Sequence, residues 1–71
     1  METKRIELMV NGEPHAVDEG ASLSGLLERL ELSDKRVAVE RNGEIVPRSL
    51  HAQCELRAGD RLEIVHAIGG G

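Results

Sequence analysis

At 71 residues, 39% of them hydrophobic and 31% charged, the chain reads as one soluble domain with a single small core and little room for an enclosed catalytic cleft. It contains no Phe, Tyr or Trp, so the core must be aliphatic, and base-stacking recognition of single-stranded nucleic acid has no platform. The formal net charge of −4 opposes a phosphate backbone and suits docking on a basic protein surface, so nucleic acid is not an expected partner.

Along the chain, "RIELMV" at 5–10 alternates, placing Ile6, Leu8 and Val10 on one face of a strand and Glu7 and Met9 on the other. Asn11-Gly12 follows, a strong signal for a tight hairpin because a type I′ turn requires positive φ at both central residues. "EPHAVDEG" returns as a second strand that ends at Glu19-Gly20. In "ASLSGLLERLEL" the leucines at 23, 26, 27 and 30 fall on one helical stripe, with Ser22 as the expected N-cap. Gly25 inside that helix costs about 1 kcal/mol relative to Ala, so either helix and sheet approach closely there or the position is unoptimised. After the loop "SDK", "RVAVE" forms a strand with Val37 and Val39 on one face. Asn42-Gly43 repeats the hairpin signal, Ile45-Val46 return briefly, and Pro47 puts this piece at a sheet edge or its end. Residues 48–58 have no sustained period; Leu50 and Leu56 are the expected core anchors. Ala58-Gly59-Asp60 reads as a turn, and "RLEIVHAI" is the last strand, with Leu62 and Ile64 inward.

Two strands, a helix, then three further strands describe an α+β two-layer domain, one amphipathic helix packed on a mixed four- to five-stranded sheet. These are the ingredients of the ubiquitin-like β-grasp arrangement, and that resemblance places the last strand beside the first. The division expected is a domain over residues 1–67 and a flexible glycine tail over 68–71.

Conventional catalysis finds no footing. His15, His51 and His66 lie far apart in sequence, and none has a neighbour at metal-ligand or triad spacing. Cys54 is the only cysteine, which rules out an internal disulfide and reads as an ordinary thiol. Glu28, Glu31, Asp60 and Glu63 read as solvated faces and turn residues. No apolar run reaches the roughly 18 residues of a membrane helix, and "METKRIELMV" lacks a signal-peptide core and cleavage site. No bound metal or cofactor, no membrane and a cytoplasmic location are expected.

The sequence closes on "IVHAIGGG". Glycine loses the most conformational freedom on ordering and buries nothing, so three in succession are a poor end for a strand. They suit a different task. With no Cβ, Gly69, Gly70 and Gly71 can thread a narrow channel and present an uncrowded carbonyl at Gly71, and four residues from Ile68 reach roughly 14 Å. A terminal carboxylate, whose pKa is near 3.5, is a poor electrophile until activated; an enzyme must therefore act on it while the folded body docks outside. Met9 and Val65, on the sheet face turned from the helix, with Ala38, and Ile68 at the tail's root, are the docking candidates.

The segments "VAVERNGEIVPR" and "GDRLEIVHAIGGG" resemble the sulfur-carrier family of thiamine biosynthesis, the ThiS type, and the resemblance covers nearly the whole chain. The first segment separates it from molybdopterin-synthase relatives that share the fold and a terminal Gly-Gly. The resemblance implies a carrier and not an enzyme. A ubiquitin-activating-like adenylyltransferase would use ATP and magnesium to adenylate Gly71. Persulfide sulfur from a cysteine desulfurase or another donor would then give a thiocarboxylate, and thiazole synthase would take that sulfur. The alternatives keep the tail and change the acceptor: a small subunit of molybdopterin synthase, another thiocarboxylate carrier, or a ubiquitin-like modifier of lysines.

Overall fold

Two Asn-Gly turns organise the chain, each folding a pair of strands back on itself. In the computed structural model, which describes residues 4–66, Asn11 and Gly12 have φ of 51° and 82°, and Asn42 and Gly43 have 53° and 86°. These are the positive values a type I′ hairpin demands. The first turn joins β1 (Arg5–Val10) to β2 (Glu13–Asp18), and the second joins β3 (Val37–Arg41) to β4 (Glu44–Val46). Between the hairpins lies α1 (Leu23–Arg29); after them come a 3₁₀ helix (Arg48–Gln53) and β5 (Arg61–His66).

The sheet order is β2-β1-β5-β3-β4. The last strand thus enters the middle, parallel to β1 and antiparallel to β3. This is the mixed five-stranded β-grasp sheet with its crossing helix. Pro14 and Pro47 sit where a missing N–H does no harm: Pro14 in the edge strand β2, and Pro47 just past the three-residue edge strand β4.

The core is aliphatic throughout. Leu8, Val10, Val17, Val39, Leu62 and Ile64 face inward from the sheet, and Leu23, Leu26 and Leu27 meet them from α1, with Leu56 closing the end. A fully buried leucine contributes roughly 1.5–3 kcal/mol over an exposed one, and a chain this small depends on all of them.

The helix is shorter than its leucine spacing predicts. Ser22 caps it as expected, its hydroxyl accepting the Gly25 N–H at 3.1 Å. The same geometry accounts for Gly25, because a Cβ there would lie 3.3 Å from Ser22 Oγ and press on the cap itself. At the other end Glu31 takes φ of 61°. The Glu31 N–H donates to Glu28 O at 3.0 Å and the Leu32 N–H to Leu27 O at 2.8 Å, a Schellman stop built without the usual glycine.

One expected core anchor is corrected. Leu50 is 46% exposed; the 3₁₀ helix turns His51 inward instead, 5% exposed, with its Nε2 3.0 Å from the Val46 carbonyl. A 3₁₀ turn brings every third residue to one side, and in residues 48–53 that side belongs to the ring. Leu50→Ser is therefore expected to change unfolding free energy by less than about 0.5 kcal/mol. Urea denaturation checks it, and a loss above about 1.5 kcal/mol would mean the side chain is held in the fold.

Candidate functional site

The strand that leads to the glycine tail is held from both sides by its neighbours' turns. On the β3 side, the Asn42 N–H donates to Arg61 O at 2.8 Å, and the Arg61 N–H donates to Asn42 Oδ1 at 2.9 Å. On the β1 side, the Asn11 N–H donates to Leu62 O at 2.9 Å, and the Asn11 carboxamide bonds Ile64 twice, accepting its N–H at 2.8 Å and donating to its carbonyl at 3.1 Å. β5 enters the sheet between the two hairpin tips, and its far end, His66, lies opposite Val37 at the start of β3.

Asp60, just before β5, anchors the start of the strand beside Asn42. It is not the solvated turn carboxylate its sequence setting suggests: it is 5% exposed. Its Oδ2 accepts from Arg41 Nε at 3.0 Å and from the Arg57 amide at 2.9 Å, and its Oδ1 accepts from Asn42 Nδ2 at 3.2 Å. Burial pushes the Asp60 carboxyl up, but the Arg57 amide, the Asn42 carboxamide and the Arg41 guanidinium together outweigh it and hold the carboxyl below its ordinary value of 3.8. The same guanidinium lies 3.6 Å from the Cys54 thiol through Nη1. Cys54 is a half-buried free thiol, and its carbonyl accepts the Leu23 N–H at 2.8 Å, tying the 3₁₀ helix to the start of α1.

The docking candidates are placed as follows. Met9, half-buried, and Val65, 56% exposed, lie on the sheet face turned from α1. They are not neighbours: Met9 pairs with Arg61, four positions before Val65, a separation of roughly 13 Å along the strand. Ala38 lies directly across from Val65. Ile45 is an exposed apolar residue that sequence reasoning did not single out. It is 69% exposed and pairs with Glu40, which in turn pairs with Glu63. The signal for it was the alternation in β4, since Val46 inward requires Ile45 outward. Ile68, Gly69, Gly70 and Gly71 lie outside the described residues.

Among the described residues, no group of three or more His, Cys, Asp or Glu side chains could hold a metal ion, and no helix is long and apolar enough to cross a membrane. The three histidines are on separate elements, His15 in β2, His51 in the 3₁₀ helix and His66 in β5. What the described residues build is a stable body around an outgoing strand.

Comparison with known proteins decides what body this is. The family model of the ThiS family matches residues 5–71. The chain belongs to the ThiS family. The ThiS-family sulfur carrier protein of Bacillus subtilis is 42% identical over 50 residues, 70% of this chain and 76% of that protein. The crystal structure of the thiamine biosynthesis protein ThiS from Geobacter metallireducens superposes with a TM-score of 0.79 at 35% identity, over 93% of this chain and all of that one. The thiazole synthase of Magnetococcus marinus is 42% identical over 66 residues, which are 93% of this chain and only 20% of that protein. This ThiS-family chain therefore spans about a fifth of the length of that synthase.

Proposed function

We propose that this chain is the sulfur carrier of thiamine thiazole formation and that its reacting group is the carboxylate of Gly71. A ThiS-family member is a carrier and not itself an enzyme, and the chemistry proposed needs no side chain of its own. In the activation step, a carboxylate oxygen of Gly71 attacks the α-phosphorus of ATP on a magnesium-dependent adenylyltransferase, and pyrophosphate leaves. The product is an acyl-adenylate, now a good electrophile. A persulfide, formed by a cysteine desulfurase or another donor, attacks the carbonyl carbon and expels AMP. A partner thiol then cleaves the S–S bond and frees the thiocarboxylate, whose sulfur is a strong nucleophile held on a protein handle. Thiazole synthase takes that sulfur and the carboxylate is regenerated.

The observation that carries the acceptor is the Magnetococcus synthase. A segment like this chain inside the synthase polypeptide holds carrier and acceptor at an effective concentration in the millimolar range for a short linker, a benefit only if the two act on one another. That supports thiazole synthase over a dithiolene-forming synthase as the partner here.

Intact-mass analysis tests the reading, after incubation with ATP, magnesium, cysteine, the adenylyltransferase and a desulfurase. Replacing one carboxylate oxygen by sulfur adds about 16 Da, the same nominal gain as methionine sulfoxide or a sulfenic acid. The gain must therefore be mapped to the C-terminal peptide or captured with a thiocarboxylate-selective alkylating tag. An ATP-dependent gain on Gly71 is expected; its absence there overturns the carrier reading, and isopeptide adducts on lysines would favour a modifier.

A further inference from the structure

The hairpin-tip residue Asn11 does more than permit a turn. In a regular parallel ladder a residue of β1 donates its N–H to one carbonyl of β5, and its own carbonyl accepts the N–H two residues further on. Asn11 makes the first of these bonds, to Leu62 O at 2.9 Å. Its φ of 51° then turns the main chain away, and no peptide group of β1 is left to meet Ile64. The carboxamide fills that place. Oδ1 accepts the Ile64 N–H at 2.8 Å where a strand carbonyl would, and Nδ2 donates to Ile64 O at 3.1 Å where the following strand N–H would. A side-chain amide thus continues β1 by one rung after the backbone has left.

That rung lies two residues before the end of β5, the strand that leads to the tail. β1 pairs with β5 only at Met9–Arg61 and Val10–Leu62, so without the carboxamide the β1 side of β5 would end at Leu62. Beyond Ile64, Val65 and His66 are held by β3 alone, opposite Ala38 and Val37. Glycine or Asp would satisfy the turn equally well, but neither can both donate and accept at Ile64. The choice of Asn is explained by the second task.

We infer that Asn11 is a positioning residue for the donor tail, fixing the β1 edge of β5 at Ile64 so that the strand end beyond it, which β3 alone carries through His66, stays in place. The inference rests on the carrier reading above. Losing the clamp leaves Ile64 to His66 held by β3 alone, and the freedom that this loosened strand end gains must be lost again each time the tail is drawn into a partner's channel. The penalty falls on association with the partner and not on the chemistry of Gly71.

Two variants and two measurements test this. Asn11→Gly keeps the turn and removes the carboxamide; Asn42→Gly removes the analogous bonds at the start of β5, far from the tail, and is the structural control. In ATP-dependent activation, N11G is expected to raise KM for the carrier about tenfold with kcat unchanged, while N42G leaves KM unchanged. Hydrogen exchange gives a readout independent of sulfur chemistry. The odd-numbered backbone groups of β5 face β3, as the Arg61–Asn42 bonds show, so Val65 loses no bond of its own in N11G. Its amide is nonetheless expected to exchange about tenfold faster as the strand end loosens, with Glu63 unaffected. Should N11G fold too weakly, Asn11→Asp keeps both the turn and the acceptor for Ile64 N–H, and is expected to move KM and Val65 exchange in the same direction. Acceleration confined to Ile64, an unchanged KM, or an equal KM rise in N42G would overturn the inference. Failure of the wild-type chain to be activated would instead overturn the carrier reading, and is distinct from activation that N11G matches.

Discussion

Deleting Gly70 and Gly71 is expected to abolish ATP-dependent thiocarboxylate formation, by at least about a hundredfold, without changing the thermal unfolding midpoint. The truncated chain still ends on a glycine carboxylate, so the chemistry of the group is preserved and only its position changes. Two residues shorten the reach by roughly 7 Å, and misplacement of a reacting atom by as little as about 1 Å can cost two orders of magnitude. Stability is a separate matter. Among the described residues every buried core residue lies between Leu8 and Ile64, and the hydrogen bonds that hold β5 run to Ile64 on the β1 side and to the end of the β3 pairing on the other. The deletion removes none of them. Calorimetry and intact-mass analysis of the same preparation check both halves. A lowered midpoint would assign the glycines a packing role, and a truncated chain activated like the full one would show that the reacting carbonyl is not placed by the length of the tail.

The turns and the strand faces were legible because they obey short-range rules. Asn-Gly twice, an alternating β1 and the Leu62–Ile64 pair each follow from steric rules a few residues long. Other features were not, because their causes lie across the fold or in a single dihedral. The leucine period of α1 runs on past Arg29, and nothing in it announces that Glu31 adopts φ of 61° and stops the helix. In residues 48–53 a leucine and a histidine compete for one inward position, and hydrophobicity alone favours the wrong one; the Val46 carbonyl decides it. Asn11 and Asn42 were read as turn residues, which they are. Their carboxamides bond residues 53 and 19 positions away, a relation no periodicity contains. The proposal of Gly71 as the reacting end rests on the opposite kind of signal: the lack of side chains is itself a chemical statement about access. The weaker part is the docking surface, where alternation assigns the face of Met9 and Val65, but only the strand register shows them four positions apart.

Asp60→Ala is expected to cost about 3 kcal/mol at neutral pH, the range for breaking a buried ion pair and leaving donors unsatisfied. The substitution strands the Asn42 carboxamide and the Arg57 amide, and it leaves Arg41, whose side chain is 26% exposed, without its carboxylate. Partial access of Arg41 to water keeps the figure at the low end of that range. For a domain of this size the midpoint should fall by roughly 12–24 °C. The carboxylate's charge is separable from its shape by pH. Its folded pKa lies below the ordinary 3.8, so its contribution is complete above that value and is lost as pH falls through the lower, folded one. Asp60→Asn mimics the protonated carboxyl in size and in its capacity to accept and donate. The stability gap between wild type and D60N, measured by urea denaturation from pH 7 to pH 2.5, is therefore expected to stay constant down to about pH 4 and to close below it. A gap that persists unchanged at pH 2.5 would mean that packing around residue 60, and not the charge facing Arg41, holds the start of β5. The distinction matters for the carrier, because Asp60 holds the start of β5 and Asn11 holds the strand at Ile64, and acid releases only the first.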